Sequence, residues 1–222
     1  MREHKSISIA DQIFEQLEHD ILIGKYQRGE VLTELKLSEI LGVSRTPIRE
    51  AIRRLEQEHI IEETSRGAVV IGISRDDLFD MYEIRMHVEG LAAARAAETI
   101  SDEGLAKMKE VLDLQRYYVD KTDSDNTDNS DNIKNLDSQF HQLLYLYSGS
   151  KAYYDTLLPI HKKMIKYRKA AVKSHSRARE SMKEHEGIYR ALESHDPELA
   201  KRLTIEHAKK ARDSILNKEI IG

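Results

Sequence analysis

Apolar residues recur at helical spacing at the start of the chain. Ile13, Leu17 and Ile21 lie four positions apart, which predicts a helix from Ile9 to Ile23. A second, shorter helix fits Leu35–Leu41, because a glycine follows it directly and glycine is common just after the end of a helix. The chain therefore begins with two predicted helices.

A third helix and a hairpin follow. Ser44 is placed to cap a helix from Arg45 to about Glu58, and Pro47 is tolerated there because first-turn N–H groups have no intrahelical partner. Two β-branched runs, at 60–64 and 68–73, surround a Ser-Arg-Gly sequence that is typical of a hairpin turn. This order of elements predicts a winged helix-turn-helix. A small helical bundle with an incidental hairpin is the alternative.

From Ser74 onward the apolar spacing is helical throughout. Start signals stand at Ser74, at Ser101 and at the Asp196-Pro197 pair. The predicted helices are residues 75–98, 102–120, 133–147, 152–173, 177–194 and 197–217. The change of pattern predicts two domains, a winged helix-turn-helix in 1–73 and an all-helical bundle in 74–222, in a mainly α fold.

The acidic, low-complexity stretch 121–132 interrupts the helical pattern and predicts a flexible loop. Its spaced aspartates resemble those of a calcium-binding loop. The glycine at the sixth position and the closing glutamate of such a loop are missing, which excludes that interpretation.

Composition and hydropathy indicate the cellular compartment of the protein. The chain has no cysteine, which excludes disulfides and thiolate metal sites and fits a reducing cytoplasm. No apolar run approaches the ~18 residues of a membrane span, and the first ten residues are too polar for a signal peptide. We therefore expect a cytoplasmic protein with no membrane partner.

The net charge of −4 argues at first against a nucleic-acid partner. Residues 1–73 are also acidic, with 10 Lys and Arg against 13 Asp and Glu. Within them, however, Ser44–Leu55 carries four arginines (Arg45, Arg49, Arg53 and Arg54) and a single glutamate. A local cationic stripe can contact phosphates even on an acidic domain, so the sequence still allows specific DNA binding.

The second helix of a helix-turn-helix enters the major groove with its N-terminal residues leading. Arg45 and Arg49 are one turn apart on one face, with Thr46 beside them, and arginine can contact guanine or phosphate through two parallel donors. Ser44 suits a phosphate oxygen. At the hairpin tip, Arg66 and Gly67 are placed for the minor groove. The alternative for an arginine-rich helix is an ordinary solvated surface.

The run LGVSRTPIREAIRRL, which ends at Leu55, resembles the signature of the GntR family of regulators. The resemblance implies that Arg45, Thr46 and Arg49 contact operator DNA and that Arg66-Gly67 forms the wing tip. Leu35 and Lys36 stand where many members carry a DNA-reading arginine, and Lys36 is the candidate substitute.

Four residues of the second half form a candidate metal site. Asp137 and His141 are one turn apart on a predicted helix, and His185 and His207 lie on later helices. Three neutral imidazoles and one carboxylate suit Zn²⁺, Ni²⁺, Fe²⁺ or Mn²⁺. With ten histidines in the chain, a chance helix-surface pair is the alternative.

The second half also resembles the FCD branch of the GntR family. The matching segments are 82–97, 137–141, 185–188 and His207. The resemblance implies that Asp137, His141, His185 and His207 converge in a helical bundle and bind a metal, Zn²⁺ or Ni²⁺ before Mn²⁺ or Fe²⁺. It also implies that a small carboxylate effector binds at or beside this metal.

Three further side chains of the second half need an interpretation. Arg85 lies on an apolar-periodic helix, where a cation needs a partner. It is predicted either to hold the effector carboxylate or to pair internally with Glu89, four residues on. His87 and His161 match no motif position and are interpreted as ordinary helix histidines.

Together these features predict a ligand-responsive transcriptional regulator. We expect a homodimer on a roughly palindromic site in double-stranded operator DNA, with its affinity set by a carboxylate metabolite. One alternative is a metal-dependent enzyme acting on an organic acid, although no HExxH, nucleophile-elbow or phosphate-loop motif is present. The other is a constitutive DNA binder whose helical half only dimerises.

Overall fold

The computed structural model of the chain describes residues 8–125, 128–171 and 176–219, with side chains at 8–122, 128–165 and 177–215. These residues divide into two compact units. The first contains the residues up to 75 together with 166–171, and the second contains the rest. The predicted domain limits, 1–73 and 74–222, stay predictions.

The first unit combines three helices with a small sheet. Its elements are α1 (Ile9–Leu22), β1 (Val31–Leu32), α2 (Glu34–Leu41), α3 (Arg45–Gln57), β2 (Ile61–Thr64) and β3 (Gly67–Val70). The strands form an antiparallel sheet in the order β1-β3-β2. The winged helix-turn-helix is confirmed. Strand β1 was not predicted, because a strand of two residues is too short to show a hydrophobic period.

Side chains at helical spacing form the core of this unit. Leu17 of α1, Leu37 of α2, and Ile48 and Leu55 of α3 are each at most 1% exposed. The N-terminus of α1 is closed by a capping box, in which the Ser8 hydroxyl accepts from the backbone of Asp11 and the Asp11 carboxylate accepts from the backbone of Ser8. The apolar face of α3 therefore fixes this helix and leaves its opposite face outward.

The second unit is built from helices. They are α4 (Arg75–Thr99), α5 (Asp102–Asp125), α6 (Ser130–Tyr147), α7 (Lys151–Ala171), α8 (Ser176–Glu193) and α9 (Pro197–Glu219), apart from Arg75 and residues 166–171, which belong to the first unit. Two predicted start signals are confirmed, because the Ser101 hydroxyl accepts from the Gly104 N–H and the Asp196 carboxylate from the Leu199 N–H. Residues 172–173 of the predicted seventh helix lie outside the described residues.

The predicted loop at 121–132 is wrong over most of its length. Helix α5 continues to Asp125, and α6 already begins at Ser130; residues 126 and 127 lie outside the described part. Val119 on α5, Ile133 on α6 and Met182 on α8 form a buried apolar cluster close to both helix ends. This packing extends the helices into a polar sequence that has no helical period of its own.

None of the helices in the described part of the chain has the length and apolar character required to cross a membrane.

Candidate nucleic-acid interface and metal centre

The turn between α2 and α3 sets the position of α3. Gly42 ends α2 with a left-handed φ of 66°, and its N–H donates to the Ser38 carbonyl. The Ser38 hydroxyl in turn donates to the Val43 carbonyl at 2.6 Å. Ser44 occupies the predicted cap position with extended backbone, yet its hydroxyl makes no capping hydrogen bond. The side chain of Ser44 is thus exposed at the helix N-terminus.

Arg45 and Arg49 project from α3 toward one acceptor on α2. Arg49 donates to both carboxylate oxygens of Glu34, at 2.7 and 2.9 Å, and Arg45 lies 3.0 Å from one of them. The bond from Arg49 is the main cause that lowers the pKa of Glu34 to about 2. Both arginine side chains remain more than half exposed. Glu34 therefore aligns the two guanidinium groups and leaves them accessible.

The predicted stripe of four arginines needs one correction. Arg54 packs 4.0 Å above the ring of Phe14 and donates to the Asp11 carboxylate, so it holds α3 against α1. Its position five residues after Arg49 turns it away from the exposed face. Arg53 is exposed, and Lys36 is exposed with its amine 3.8 Å from Glu30.

The wing tip has a tight and internally bonded turn. The Thr64 hydroxyl donates to the Gly67 carbonyl at 2.8 Å and accepts from the Arg66 N–H at 3.2 Å. Gly67 has a φ of 126°, and a Cβ there would lie 2.8 Å from the Leu32 carbonyl of β1. Glycine is thus required by the sheet itself, whereas a DNA contact by Arg66 and Gly67 stays a prediction.

Three histidines from three helices meet in the second unit. The ring nitrogens of His141 on α6, His185 on α8 and His207 on α9 lie within 4.8 Å of one another. Their rings are separated by 4.7–5.2 Å, and each residue is at most 4% exposed. Residues far apart in sequence are therefore brought to one buried point.

Asp137, the fourth predicted ligand, lies beside this group. Its Oδ1 is 3.8 Å from Nε2 of His185 and accepts a hydrogen bond from the Ser181 hydroxyl at 3.1 Å. Because Asp137 is one turn before His141 on α6, its carboxylate shares the same face of that helix.

Acceptors behind two of the rings fix which nitrogen faces the shared space. Nδ1 of His207 is 2.8 Å from a Glu184 oxygen, and Nδ1 of His185 is 3.3 Å from the Gln115 amide oxygen. Metal-bound histidines characteristically donate their second ring N–H in this way, which leaves Nε2 as the ligand atom. Nε2 of His185 is buried and has no hydrogen-bond partner within the described residues. This arrangement fits a divalent transition metal.

The electrostatic setting keeps two of the ligands uncharged. Burial lowers the pKa of His185 to about 3 and holds the pKa of His141 well below its ordinary value. Neutral imidazoles are the form that binds metal. Burial alone would raise the pKa of Glu184, but hydrogen bonds from His207 and Arg177 keep it far below its usual range. Glu184 is therefore an ionised acceptor behind His207.

Arg85 forms the internal ion pair that the sequence offered as one of two alternatives. Its guanidinium donates to both oxygens of Glu89, at 2.7 and 3.1 Å, and both residues are buried. The Tyr145 hydroxyl donates to the same carboxylate. Burial on its own lowers the pKa of Arg85, yet Glu89 raises it above the ordinary value. An effector contact by Arg85 stays a prediction.

His161 is a buried side chain that the sequence interpretation treated as an ordinary helix histidine. It lies on α7, is 2% exposed and forms a second donor group with Glu89 and His141, whose ligand atoms are within 4.8 Å of one another. Its ring centroid is 4.6 Å from that of His141. Leu157 and Met164, four residues before and three after it, are also buried, so the helical period already placed His161 on an inward face.

Comparison with known proteins assigns both units. The family model for bacterial regulatory proteins of the gntR family matches residues 9–71, and that for the FCD domain matches 80–210, more than half of the chain. The HTH-type transcriptional regulator YdhC of Bacillus subtilis (strain 168) is 28% identical over 197 residues, covering 88% of this chain and 86% of YdhC. The HTH-type transcriptional repressor RspR of Escherichia coli (strain K12) is 26% identical over 208 residues, covering 93% and 89%.

A solved structure agrees on the fold. The structure of Lar, which controls the expression of the Listeria monocytogenes agr system, has a TM-score of 0.74 at 20% identity and covers 96% of this chain and 99% of its own. The matched family and the relatives are transcriptional regulators, which removes the enzyme alternative. The chain belongs to the GntR family of bacterial regulatory proteins, in the branch with an FCD domain, and is a DNA-binding transcriptional regulator.

Proposed function

We propose that this regulator changes its operator affinity when a small carboxylate binds to a divalent cation in its FCD domain. The observation that carries the proposal is the buried meeting point of His141, His185 and His207, with Asp137 beside it. Three buried histidines without a shared ion or ligand would leave ring nitrogens unsatisfied, which is costly.

The donor set favours particular cations. Three imidazoles and one carboxylate suit Zn²⁺ or Ni²⁺ best, and Mn²⁺ or Fe²⁺ are compatible. When bound, the cation supplies Lewis-acid positions that accept a carboxylate oxygen of the effector. The four proposed ligands are Asp137, His141, His185 and His207, with Gln115 and Glu184 orienting two of the rings.

The exposed face of α3 is the proposed reading surface. The proposed DNA contacts are Lys36, Ser44, Arg45, Thr46, Arg49, Arg66 and Gly67. Support comes from the exposure of Arg45 and Arg49 at the N-terminus of the helix that follows the turn, and from their alignment by Glu34. Guanidinium groups held in this way can contact a guanine edge or a phosphate through two donors.

The proposed regulator is a homodimer. Two reading helices on a dimer suit a palindromic operator with half-sites one helical turn apart. An effector that favours one arrangement of the dimer would then shift operator affinity. Because its partner is operator DNA, we infer a cytoplasmic location.

A thermal-shift screen tests this function. Protein freed of metal with EDTA is melted with Zn²⁺ or Ni²⁺ alone, and then with a panel of small carboxylates. A ligand that binds the native state raises the melting temperature. We expect the metal to raise it and one carboxylate class to raise it further, but only with metal present. A DNA binder whose helical half merely dimerises would respond to neither.

A further inference from the structure

A second polar locus adjoins His141. It contains His161, the Glu89 carboxylate and the Tyr145 hydroxyl, all buried. The ring centroids of His161 and Tyr145 are 6.0 Å apart, and both rings lie within about 6 Å of the His141 ring. His161 is therefore next to the proposed cation site without belonging to the three-histidine group.

Geometry argues against His161 as a ligand of the same cation. Each metal–nitrogen bond is about 2.1 Å, so two nitrogens on one ion are at most about 4.2 Å apart. Among the described residues, the ligand atoms within 4.8 Å of one another group His161 with Glu89 and His141, and not with His185 and His207. Within the described residues, His161 therefore does not complete the donor group of His141, His185 and His207.

Charge argues against a second cation in this locus. Both oxygens of Glu89 already accept hydrogen bonds from Arg85, and one also accepts from Tyr145. The buried guanidinium of Arg85 would repel a divalent ion at this short range, where the dielectric is low. Because Arg85 already neutralises Glu89, the locus offers little net negative charge to hold a second divalent ion.

We propose that His161 is a carboxylate-binding residue of the effector site and donates an imidazole N–H to a carboxylate bound to the cation beside His141. A carboxylate bound to a metal through one oxygen keeps its second oxygen free to accept such a bond. A donor outside the three-histidine group, yet adjacent to one of its members, has the required position. The inference rests on the proposed function, because the cation must hold the carboxylate.

Acetate and Co²⁺ test this role with two separate readouts. The full chain is loaded with Co²⁺, its metal content is measured by elemental analysis, and acetate binding is followed by the visible absorption of the cobalt. We expect His161→Leu to keep the same cobalt content and to bind acetate about tenfold more weakly. His161→Gln, which keeps an N–H donor, should stay within about threefold of the wild type.

Two further variants sharpen the comparison. His161→Phe keeps a ring but no donor, and it replaces the leucine variant if that protein does not fold. His87→Gln alters an exposed histidine of α4 and should change neither readout.

Unchanged acetate affinity in the donor-free variants would overturn the inference. Loss of cobalt from those variants would also overturn it, since His161 would then be a metal ligand. If the cobalt-loaded wild type did not respond to acetate, the inference would fail while the metal site stood. A wild type that takes up no cobalt would defeat the proposed function itself.

Discussion

Arg45 and Arg49 both contact the carboxylate of Glu34, and we expect this contact to influence how the first unit binds operator DNA. In an acidic protein, bulk charge contributes little attraction for DNA, so affinity depends on well-placed contacts. Glu34 restricts both side chains in advance, which reduces the entropy lost when they meet a base edge.

Arg45→Ala and Arg49→Ala should each weaken specific operator binding by about 1–3 kcal/mol, because each would remove one of the proposed two-donor contacts. The measurement is a titration at fixed salt against an operator obtained by in vitro selection. Arg95→Ala, an exposed arginine of α4, is the matched control and should leave the affinity unchanged. Full affinity in both α3 variants would rule out this face as the reading surface.

Glu34→Gln should have a different signature. The substitution frees two guanidinium groups and removes one negative charge, so non-specific DNA binding should strengthen. Specific binding should gain less, because the arginines are no longer aligned, and the ratio of specific to non-specific affinity should fall. Measuring both affinities over a salt series separates the two effects. An unchanged ratio would mean that Glu34 does not position the arginines.

The exposed position of Arg45 and Arg49 on one helix face could be predicted from the sequence, because it depends only on local structure. Arg45, Thr46 and Arg49 lie on one turn-and-helix motif, and their order along the chain fixes their face. The role of Glu34 was not predicted, because its contacts with Arg45 and Arg49 depend on how α2 packs against α3. The contacts of His161 were not predicted for the same reason, since its neighbours come from α4 and α6.

At the scale of elements, the wing depends on one backbone position. Gly67→Ala should destabilise the first unit by about 1–3 kcal/mol, because the alanine Cβ would be forced against the Leu32 carbonyl at a φ that side chains avoid. Chemical denaturation measures the change.

Gly187→Ala in α8 is the contrasting variant for this prediction. A Cβ there meets Leu203 at 3.6 Å, an ordinary contact, and alanine favours a helix over glycine by about 0.5–1 kcal/mol. This variant should be as stable as the wild type or more so. Equal stability of the Gly67→Ala protein and the wild type would show that β1 does not constrain the wing tip.

The helix periods predicted most elements, and the errors have tertiary causes. Strand β1 is only two residues long and exists through its pairing with β3. The polar sequence at 121–132 has no apolar period, and its helical ends are stabilised by packing around Val119 and Ile133. Local pattern was sufficient where an element carries its own apolar face, and insufficient where a neighbour provides the support.

At the scale of the whole molecule, the histidine cluster predicts a pH dependence of stability. His185 has a pKa of about 3 when folded and about 6.5 when unfolded. Between these values the unfolded chain binds more protons, so the free energy of unfolding falls as the pH falls from 6.5 toward 3. Above pH 6.5 His185 is neutral in both states, and its contribution to the free energy of unfolding is fully present. The lowered pKa of His141 acts in the same direction.

Melting temperatures of the metal-free protein across this range measure the effect. The His185→Gln variant should show a shallower decline, because glutamine does not titrate. An identical decline in that variant would place the sensitivity elsewhere in the molecule.

Metal content tests the central claim most directly. Elemental analysis of the full chain, dialysed against a weak chelator after loading with Zn²⁺ or Ni²⁺, should give about one ion per chain. His185→Ala and His207→Ala should each bring this close to zero, while His87→Gln retains the full value. Full metal retention in both cluster variants, or no metal in the wild type, would contradict the account.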